Sequence, residues 1–358
     1  MNVPVLSDGV VTLRAHIPAD LDEMVVMATD PAMIEWTAIP TPYSRESAEM
    51  FAFKIIPSGW NDGTHRGWAI EAEGRFAGNL DIRKGPVADI GFALHPWARG
   101  RGLMARAVRL AVDWAFNEGL VEIVHWGAHV GNEASLRVAH ATGFTLHGTT
   151  PGMLLERGRV LDAWTGSIRF GDAPVARHPW AESVVLESER VRLRPYGEAD
   201  LPRIVEACSD AETRRWLSWL PHPYTEADAR TFVNHTIWKA ALGVEATWAV
   251  ADLATDELVG NVAVMDMRGV DPTAGEIGYW MHPDARGRGL MTEATRMAVE
   301  HAFTGLDRRR LTLYAGADNT PSNAVALAAG FHRFGTQRAA ERLGDGSYDD
   351  LHGYEQLR

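Results

Sequence analysis

The strongest constraint on the fold is an internal repeat. The string Ile90-Gly-Phe-Ala-Leu-His-Pro-Trp-Ala-Arg-Gly-Arg-Gly-Leu-Met104 returns as Ile277-Gly-Tyr-Trp-Met-His-Pro-Asp-Ala-Arg-Gly-Arg-Gly-Leu-Met291, an offset of 187. Asn132-x-x-Ser135 returns as Asn319-x-x-Ser322, and Gly143-Phe144 as Gly330-Phe331, at the same offset. Val11-Thr-Leu-Arg14 returns earlier, as Val191-Arg-Leu-Arg194, at an offset of 180. A period this long is a duplicated domain, not a solenoid of short repeats. The slip from 180 to 187 means that the second copy carries extra residues before its motif, and the Met265–Gly275 stretch is one place for them.

Length agrees with duplication, since 358 residues suit two domains of about 100–200 residues each. Gly171-Asp-Ala-Pro and His178-Pro-Trp interrupt any regular pattern, which puts a linker at about 171–183. The expected domains are therefore 1–178 and 183–358. The net charge is −12, split as −4 for residues 1–178 and −8 for the rest. Neither half offers the basic surface that a nucleic-acid binder needs. No apolar run reaches membrane-spanning length, and residues 1–11 do not read as a signal peptide. The one cysteine, Cys208, has no internal disulfide partner and reads as core filler in a reduced compartment. The expected location is the cytoplasm.

Within the first copy, Val10–Ala15 reads as a strand and Pro18–Thr29 has helical spacing. Ser44 with acidic residues after it marks a helix start. Trp68–Glu71 and Phe76–Arg83 read as strands joined at Glu73-Gly-Arg, and Ala88–Leu94 as the next strand. A helix follows Gly102, with apolar positions Leu103, Ala107, Leu110, Ala111, Trp114 and Ala115. Then come a strand at Val121–Ala128, a short helix at Asn132–Ala141, and strands at about Phe144–Thr149 and Val160–Ile168. The fold class is α/β, of the α+β kind. Each copy is a mixed, mostly antiparallel central sheet flanked by helices.

The repeated loop carries the chemistry. In Arg99-Gly100-Arg101-Gly102-Leu-Met104 and Arg286-Gly287-Arg288-Gly289-Leu-Met291, glycines let backbone N–H groups approach a ligand at a helix start, where partial positive charge gathers. The arginines add charged donors. This is an anion cradle suited to phosphate or pyrophosphate. It is neither a Walker loop nor a dinucleotide fingerprint, because Gly-Lys-Ser/Thr and Gly-x-Gly-x-x-Gly are both absent.

The order strand, Arg-x-x-Gly, helix, strand, Asn-x-x-Ser, Gly-Phe resembles the GNAT superfamily of acyl-CoA N-acyltransferases. Ile-Gly-x-x-x-His-Pro…Arg-Gly-x-Gly-Leu most resembles its RimJ/RimL type. The resemblance spans nearly the whole chain, twice. It implies two tandem GNAT domains and acetyl-CoA as co-substrate, with no metal. It implies that Arg99, Gly100, Arg101, Gly102 and Met104 bind coenzyme A pyrophosphate, and that Arg286, Gly287, Arg288, Gly289 and Met291 repeat the role. Met stands where the family often has a smaller residue. Backbone groups near Leu94 and Met281 would meet the pantetheine arm and thioester carbonyl, and Asn132 and Asn319 would contact the pantetheine.

Acetyl transfer needs a neutral amine, a donor for the oxyanion and an acid for the departing thiolate. The family's usual acid, a Tyr seven residues after the Asn, is replaced by Ala139 and Ala326, leaving Ser135 and Ser322 as candidates. Asp89 and Glu276, just before Ile-Gly in each copy, are the candidate bases. Glu276 matches the family's usual residue and favours the second copy. The implied activity is N-acetyl transfer to a primary amine: a protein N-terminus, an antibiotic or a small amine. The alternative is that one or both copies bind acyl-CoA without turnover, in a structural or sensing role. Nucleic acid and membrane are excluded as partners, and the assembly would be an internal pseudo-dimer, monomeric or homodimeric. His95 and His282 lack a second ligand at metal spacing. Trp36, Trp60, Trp68, Trp216, Trp219 and Trp238 either line an acceptor pocket or pack in a core. Arg308-Arg-Arg310 opens a strand and reads as a solvated edge, the alternative being a contact with the coenzyme's 3′-phosphate.

Overall fold

Val11–Arg14 alternates buried and half-buried residues and forms a strand in the computed structural model, which describes residues 3–358. Its repeat partner Val191–Arg194 does the same. Contacts divide the chain into two units, one ending at Arg177 and one beginning at His178.

The first unit runs β1 (Leu6–Ser7), β2 (Val11–Arg14), α1 (Leu21–Ala28), α2 (Pro31–Trp36), α3 (Arg45–Met50), α4 (Ile56–Asp62), β3 (His65–Ala72), β4 (Arg75–Arg83), β5 (Val87–Leu94), α5 (Leu103–Asn117), β6 (Ile123–His129), α6 (Glu133–Ala141), β7 (Thr145–Glu156) and β8 (Arg159–Arg169). The second runs β9 (Leu186–Glu187), β10 (Val191–Arg194), α7 (Leu201–Ser209), α8 (Ala211–Trp216), α9 (Glu226–Ala241), β11 (Ala246–Asp252), β12 (Leu258–Met265), β13 (Ala274–Met281), α10 (Leu290–Thr304), β14 (Arg310–Gly316), α11 (Thr320–Ala328), β15 (His332–Arg342) and β16 (Tyr348–Leu357). Each unit holds one eight-stranded sheet, β1-β2-β3-β4-β5-β6-β8-β7 and β9-β10-β11-β12-β13-β14-β16-β15. Neighbours are antiparallel except β5–β6 and β13–β14, which are parallel. The sheets are mixed and flanked by helices, as the repeat implied.

Helices cover both faces of the central strands, which is why these strands read as continuous apolar runs rather than alternating ones. In the second unit, Ile277, Leu311 and Leu313 pack with Leu290, Ala294 and Ala298 of α10 on one face. Ala249 and Leu258 pack with Leu201, Ile204 and Cys208 of α7 on the other. Trp68 and Trp248 sit at equivalent places, both fully buried. Each indole N–H donates to a carbonyl before the first strand, of Pro4 and of Val184. Trp248→Ala is expected to cost the second unit about 3–5 kcal/mol in chemical denaturation, through the cavity and the orphaned carbonyl. A loss below about 1 kcal/mol would place Trp248 outside the core.

Equivalent residues locate the insertion. Trp68 and Trp248 differ by 180, Gly78 and Gly260 by 182, and Ile90 and Ile277 by 187. Two extra residues therefore lie in the β11–β12 turn and five in the β12–β13 loop, within the expected stretch. Two expectations need correction. The last strands of the first unit extend to Glu156 and from Arg159, because Pro151-Gly152 is absorbed as a register shift between Thr150 and Leu154. Arg308–Arg310 is not a solvated edge, since β14 lies inside its sheet. The Arg308 guanidinium donates to the carbonyls of Leu306 and Met267, each at 2.8 Å, and burial lowers its pKa. Arg309 and Arg310 pair with Asp271 and Glu355.

Candidate active site

Parallel pairing sets the shape of the site. β5 and β6 pair only at Val87, Ala88 and Asp89, although β5 runs on to Leu94 and β6 to His129. β13 and β14 pair only from Ala274 to Ile277, although they run on to Met281 and Gly316. Past those points the strands part. The outer backbone edge of β5 up to Leu94, and of β13 up to Met281, is left without a strand partner, while the inner edge stays paired with β4 and β12. Such an edge can take an extended ligand by backbone hydrogen bonds.

The Arg-Gly-Arg-Gly loop follows each open edge. Gly102 caps α5 and Gly289 caps α10 with positive φ, 71° and 74°, and neither gives the first turn a side-chain acceptor. The first-turn N–H groups are thus free for an anion. A Cβ placed on Gly100, Gly102 or Gly287 would meet nothing within 4 Å, so the glycines leave open space above the helix end. Met104 and Met291 turn their side chains into the core, 4% and 5% exposed, and do not obstruct it. This geometry fits a pyrophosphate followed by an extended arm.

The arginines do something the sequence did not reveal. Arg99 Nη2 donates to Asp30 at 2.6 Å, and Arg286 Nη2 to Asp210 at 2.7 Å. Asp30 and Asp210 are the N-caps of α2 and α8. Burial would push Asp210 up, but the Thr213 N–H and the Arg286 guanidinium outweigh it and lower its pKa. Arg99 Nε also donates to the Leu94 carbonyl, at 3.2 Å. Arg101 pairs with Glu73, and Arg288 with Asp252 at 3.4 Å. The first arginine of each loop ties it to a neighbouring helix.

Asn132 and Asn319 cap α6 and α11, their side chains accepting from the Ser135 and Ser322 N–H groups at 3.1 and 3.2 Å. The two serines keep different company. Trp126 Nε1 donates to Ser135 Oγ at 3.0 Å. Ser322 Oγ lies 3.0 Å from the Tyr279 hydroxyl. Phe92 holds the place of Tyr279 in the first unit. Ala139 and Ala326, the family's Tyr positions, are buried.

The carboxylates also diverge. Successive strand residues face opposite sides. Ala93 packs against α1 and α3 residues, and Trp280 against α7 and α9 residues, so Asp89 and Glu276, of like parity, face those helices. Asp89 is held by Arg83 and by Lys84 Nζ, the latter at 2.9 Å. Glu276 makes no ion pair among the described residues; burial and the nearby Asp266 charge raise its pKa. A Cβ on Gly278 would meet the flexible end of Met265, at 2.5 Å from Cε, which would have to turn aside. Glu341 on β15, which the sequence reading missed, is raised too, by burial and by Asp349.

Of the tryptophans, Trp60 and Trp68 pack edge to face with ring centroids 5.0 Å apart and belong to the core. Trp238 is buried and Trp219 exposed. Trp36 meets His129 at the open end of β6, and Trp216 lies over Gly316 at the open end of β14. His95 contacts Glu23, and His282 lies between Asp284 and Glu206. Among the described residues no cluster of three or more His, Cys, Asp or Glu could hold a metal ion, and no helix is long and apolar enough to cross a membrane.

A family model described as an acetyltransferase (GNAT) domain matches residues 11–145 and again residues 190–332. The ribosomal-protein-serine acetyltransferase of Escherichia coli (strain K12) is 30% identical over 141 residues, which is 39% of this chain and 76% of that protein. Among solved structures, Mycobacterium smegmatis RimJ in complex with CoA-disulfide is 20% identical with a TM-score of 0.45, covering 50% of this chain and 88% of that one. A GNAT-family acetyltransferase from Bacillus anthracis is 23% identical with a TM-score of 0.43, covering 49% of this chain and 98% of that one.

Proposed function

This chain belongs to the GNAT acetyltransferase family in both of its halves, and from that premise we propose that it uses acetyl-CoA to acetylate a primary amine, with the chemistry in the second unit. The observation that carries the assignment to that unit is the contrast between the free, raised Glu276 and the doubly ion-paired Asp89.

Each unit would hold one coenzyme. First-turn N–H groups of α5 and α10 would bind the pyrophosphate, with Gly100, Gly102, Gly287 and Gly289 leaving it room; Arg99, Arg101, Arg286 and Arg288, each paired with a carboxylate, would add positive charge only by exchanging that partner for phosphate. The open edges ending at Leu94 and Met281 would align the pantetheine beside Asn132 and Asn319. A backbone N–H on that edge would stabilise the tetrahedral oxyanion. In the second unit Glu276 would take the amine proton, and Ser322 would face the sulfur. Ser135 has the matching place in the first unit, but Asp89 is committed to Arg83 and Lys84. That pairing favours a first unit that binds acyl-CoA without turning it over.

For the acceptor we favour the α-amine of a peptide or protein in the cytoplasm. An α-amine has a pKa of about 7.7–8.0, against about 10.4 for lysine, so about half or more of it is already neutral near pH 8, against well under one per cent of a lysine. The E. coli relative's name points to a protein acceptor, and a net charge of −12 suits cationic partners. The two units would act as separate domains joined within residues 171–183. Incubating the chain with acetyl-CoA and a panel of peptides, aminoglycosides and polyamines, then following thiol release and product mass, tests the proposal. Transfer to peptide α-amines is expected. Thiol release no faster than without amine would refute it.

A further inference from the structure

We propose that Tyr279 is the acid of the second unit, protonating the departing thiolate through the Ser322 hydroxyl. This rests on the acetyl-transfer reading above and deepens it.

The position where the family keeps its acid is occupied by Ala326, a buried core residue with no proton to give. Tyr279 supplies a hydroxyl to the same neighbourhood from the strand instead of the helix. It lies on β13 two residues beyond Ile277, the last residue paired with β14, where the strands have already parted. Its ring packs against the core beneath α10 and α11, on the opposite face from Glu276. Its hydroxyl donates to the Ser322 carbonyl at 3.0 Å and also lies 3.0 Å from Ser322 Oγ, where either oxygen can donate, so a turn of the phenolic O–H from the carbonyl to Oγ sets the relay. The Ser322 N–H is committed to Asn319, so the serine side chain has a fixed origin. Burial pushes the phenol up to about 12, against the lowering effect of the Ser322 hydrogen bond. It therefore carries its proton at any working pH, and its place beside Ser322 Oγ, not its acidity, is what suits it to the role. Base and acid thus lie on opposite faces of one strand, on either side of the opening through which the thioester would lie.

The proton and electron balance is complete with these groups. The amine lone pair forms the C–N bond at the thioester carbonyl carbon. Glu276 accepts the amine proton. The C–S bond breaks with its pair remaining on sulfur. Ser322 gives its hydroxyl proton to that sulfur and takes the phenolic proton of Tyr279. The proton held by Glu276 returns to the phenolate through solvent as products leave. The first unit has Phe92 in place of Tyr279, and its serine faces the Trp126 indole N–H, which is not an acid.

The competing role for Tyr279 is to pin α11 through the Ser322 carbonyl, and the experiment separates the two. In the full chain, Tyr279→Phe is expected to lower kcat for peptide acetylation by about 100-fold or more. Coenzyme A affinity by calorimetry should stay within about twofold, because no binding contact is lost. Ser322→Ala should lose a similar factor, and the double variant little more, because a relay fails as a unit. Replacing Tyr279 with 3,5-difluorotyrosine, a more acidic phenol of similar shape, should restore most turnover and bring the alkaline fall in kcat to lower pH. Near-native kcat in Tyr279→Phe would overturn the role, as would affinity falling in step with kcat, additive losses, or an unshifted profile with the fluorinated residue. Absence of amine-dependent thiol release from the native chain would instead remove the acetyl-transfer reading, and this one with it.

Discussion

Glu276→Gln is expected to lower kcat by about 10²–10⁴-fold, the range for loss of a general base, while Asp89→Asn changes it by less than about threefold. Both residues precede Ile-Gly at equivalent places, so the sequence alone treats them as a pair. Their surroundings separate them. Asp89 has two cationic neighbours that occupy its oxygens. Glu276 is half buried and unpaired, with Met265 and Thr312 as its strand neighbours. Burial first, and then the Asp266 charge, disfavours its ionised form and raises its pKa above the usual value of about 4.3. The sign for activity follows directly. A base works only when deprotonated, so a raised pKa moves the acid limb of kcat/KM to higher pH. Below that limb Glu276 is protonated and turnover falls, and in Glu276→Gln the limb should vanish. Asp266→Asn removes one raising charge and should move the limb to lower pH. Steady-state pH profiles check all three.

Gly287→Asp is expected to weaken coenzyme A binding to the second unit by about 100-fold or more, through a carboxylate aimed at the pyrophosphate position. Gly100→Asp should do the same in the first unit. Calorimetry should count two coenzymes on the native chain and one on each variant. These glycines are better targets than the arginines beside them. Nothing lies within 4 Å of a Cβ at either position, so added atoms meet no clash. Aspartate tolerates positive φ better than most residues, which keeps the backbone cost small. Arg286→Glu would instead set a carboxylate against Asp210 and disturb the start of α8, mixing a folding defect with a binding one. If Gly287→Asp still bound two coenzymes at native affinity, the loop would not be the pyrophosphate site.

What the sequence revealed and what it hid divide along a physical line. The duplication, the sheet, and the helices starting after Gly102 and Gly289 were legible because periodicity and glycine placement are local. Hidden were contacts between residues far apart in the chain. Arg99 and Arg286 looked like free anion donors; the fold pairs them with Asp30 and Asp210, 69 and 76 residues away. Arg308 read as part of a solvated strand edge because it opens a strand, but the β12–β13 loop turns its carbonyls onto it. Tyr279 was visible in the motif, yet its meaning depended on Ser322, 43 residues later. The missing helical tyrosine drew attention to the helix, whereas the hydroxyl comes from the strand. Asp89 and Glu276 differed by one methylene in the sequence and by two cations in the structure.

The central claim, acetyl-CoA chemistry seated in the second unit, is tested most directly by amine-dependent thiol release in the full chain carrying either Gly287→Asp or Gly100→Asp. Expected is a loss of about 100-fold or more with Gly287→Asp and a change of less than about twofold with Gly100→Asp. Equal losses, or a loss confined to Gly100→Asp, would contradict it.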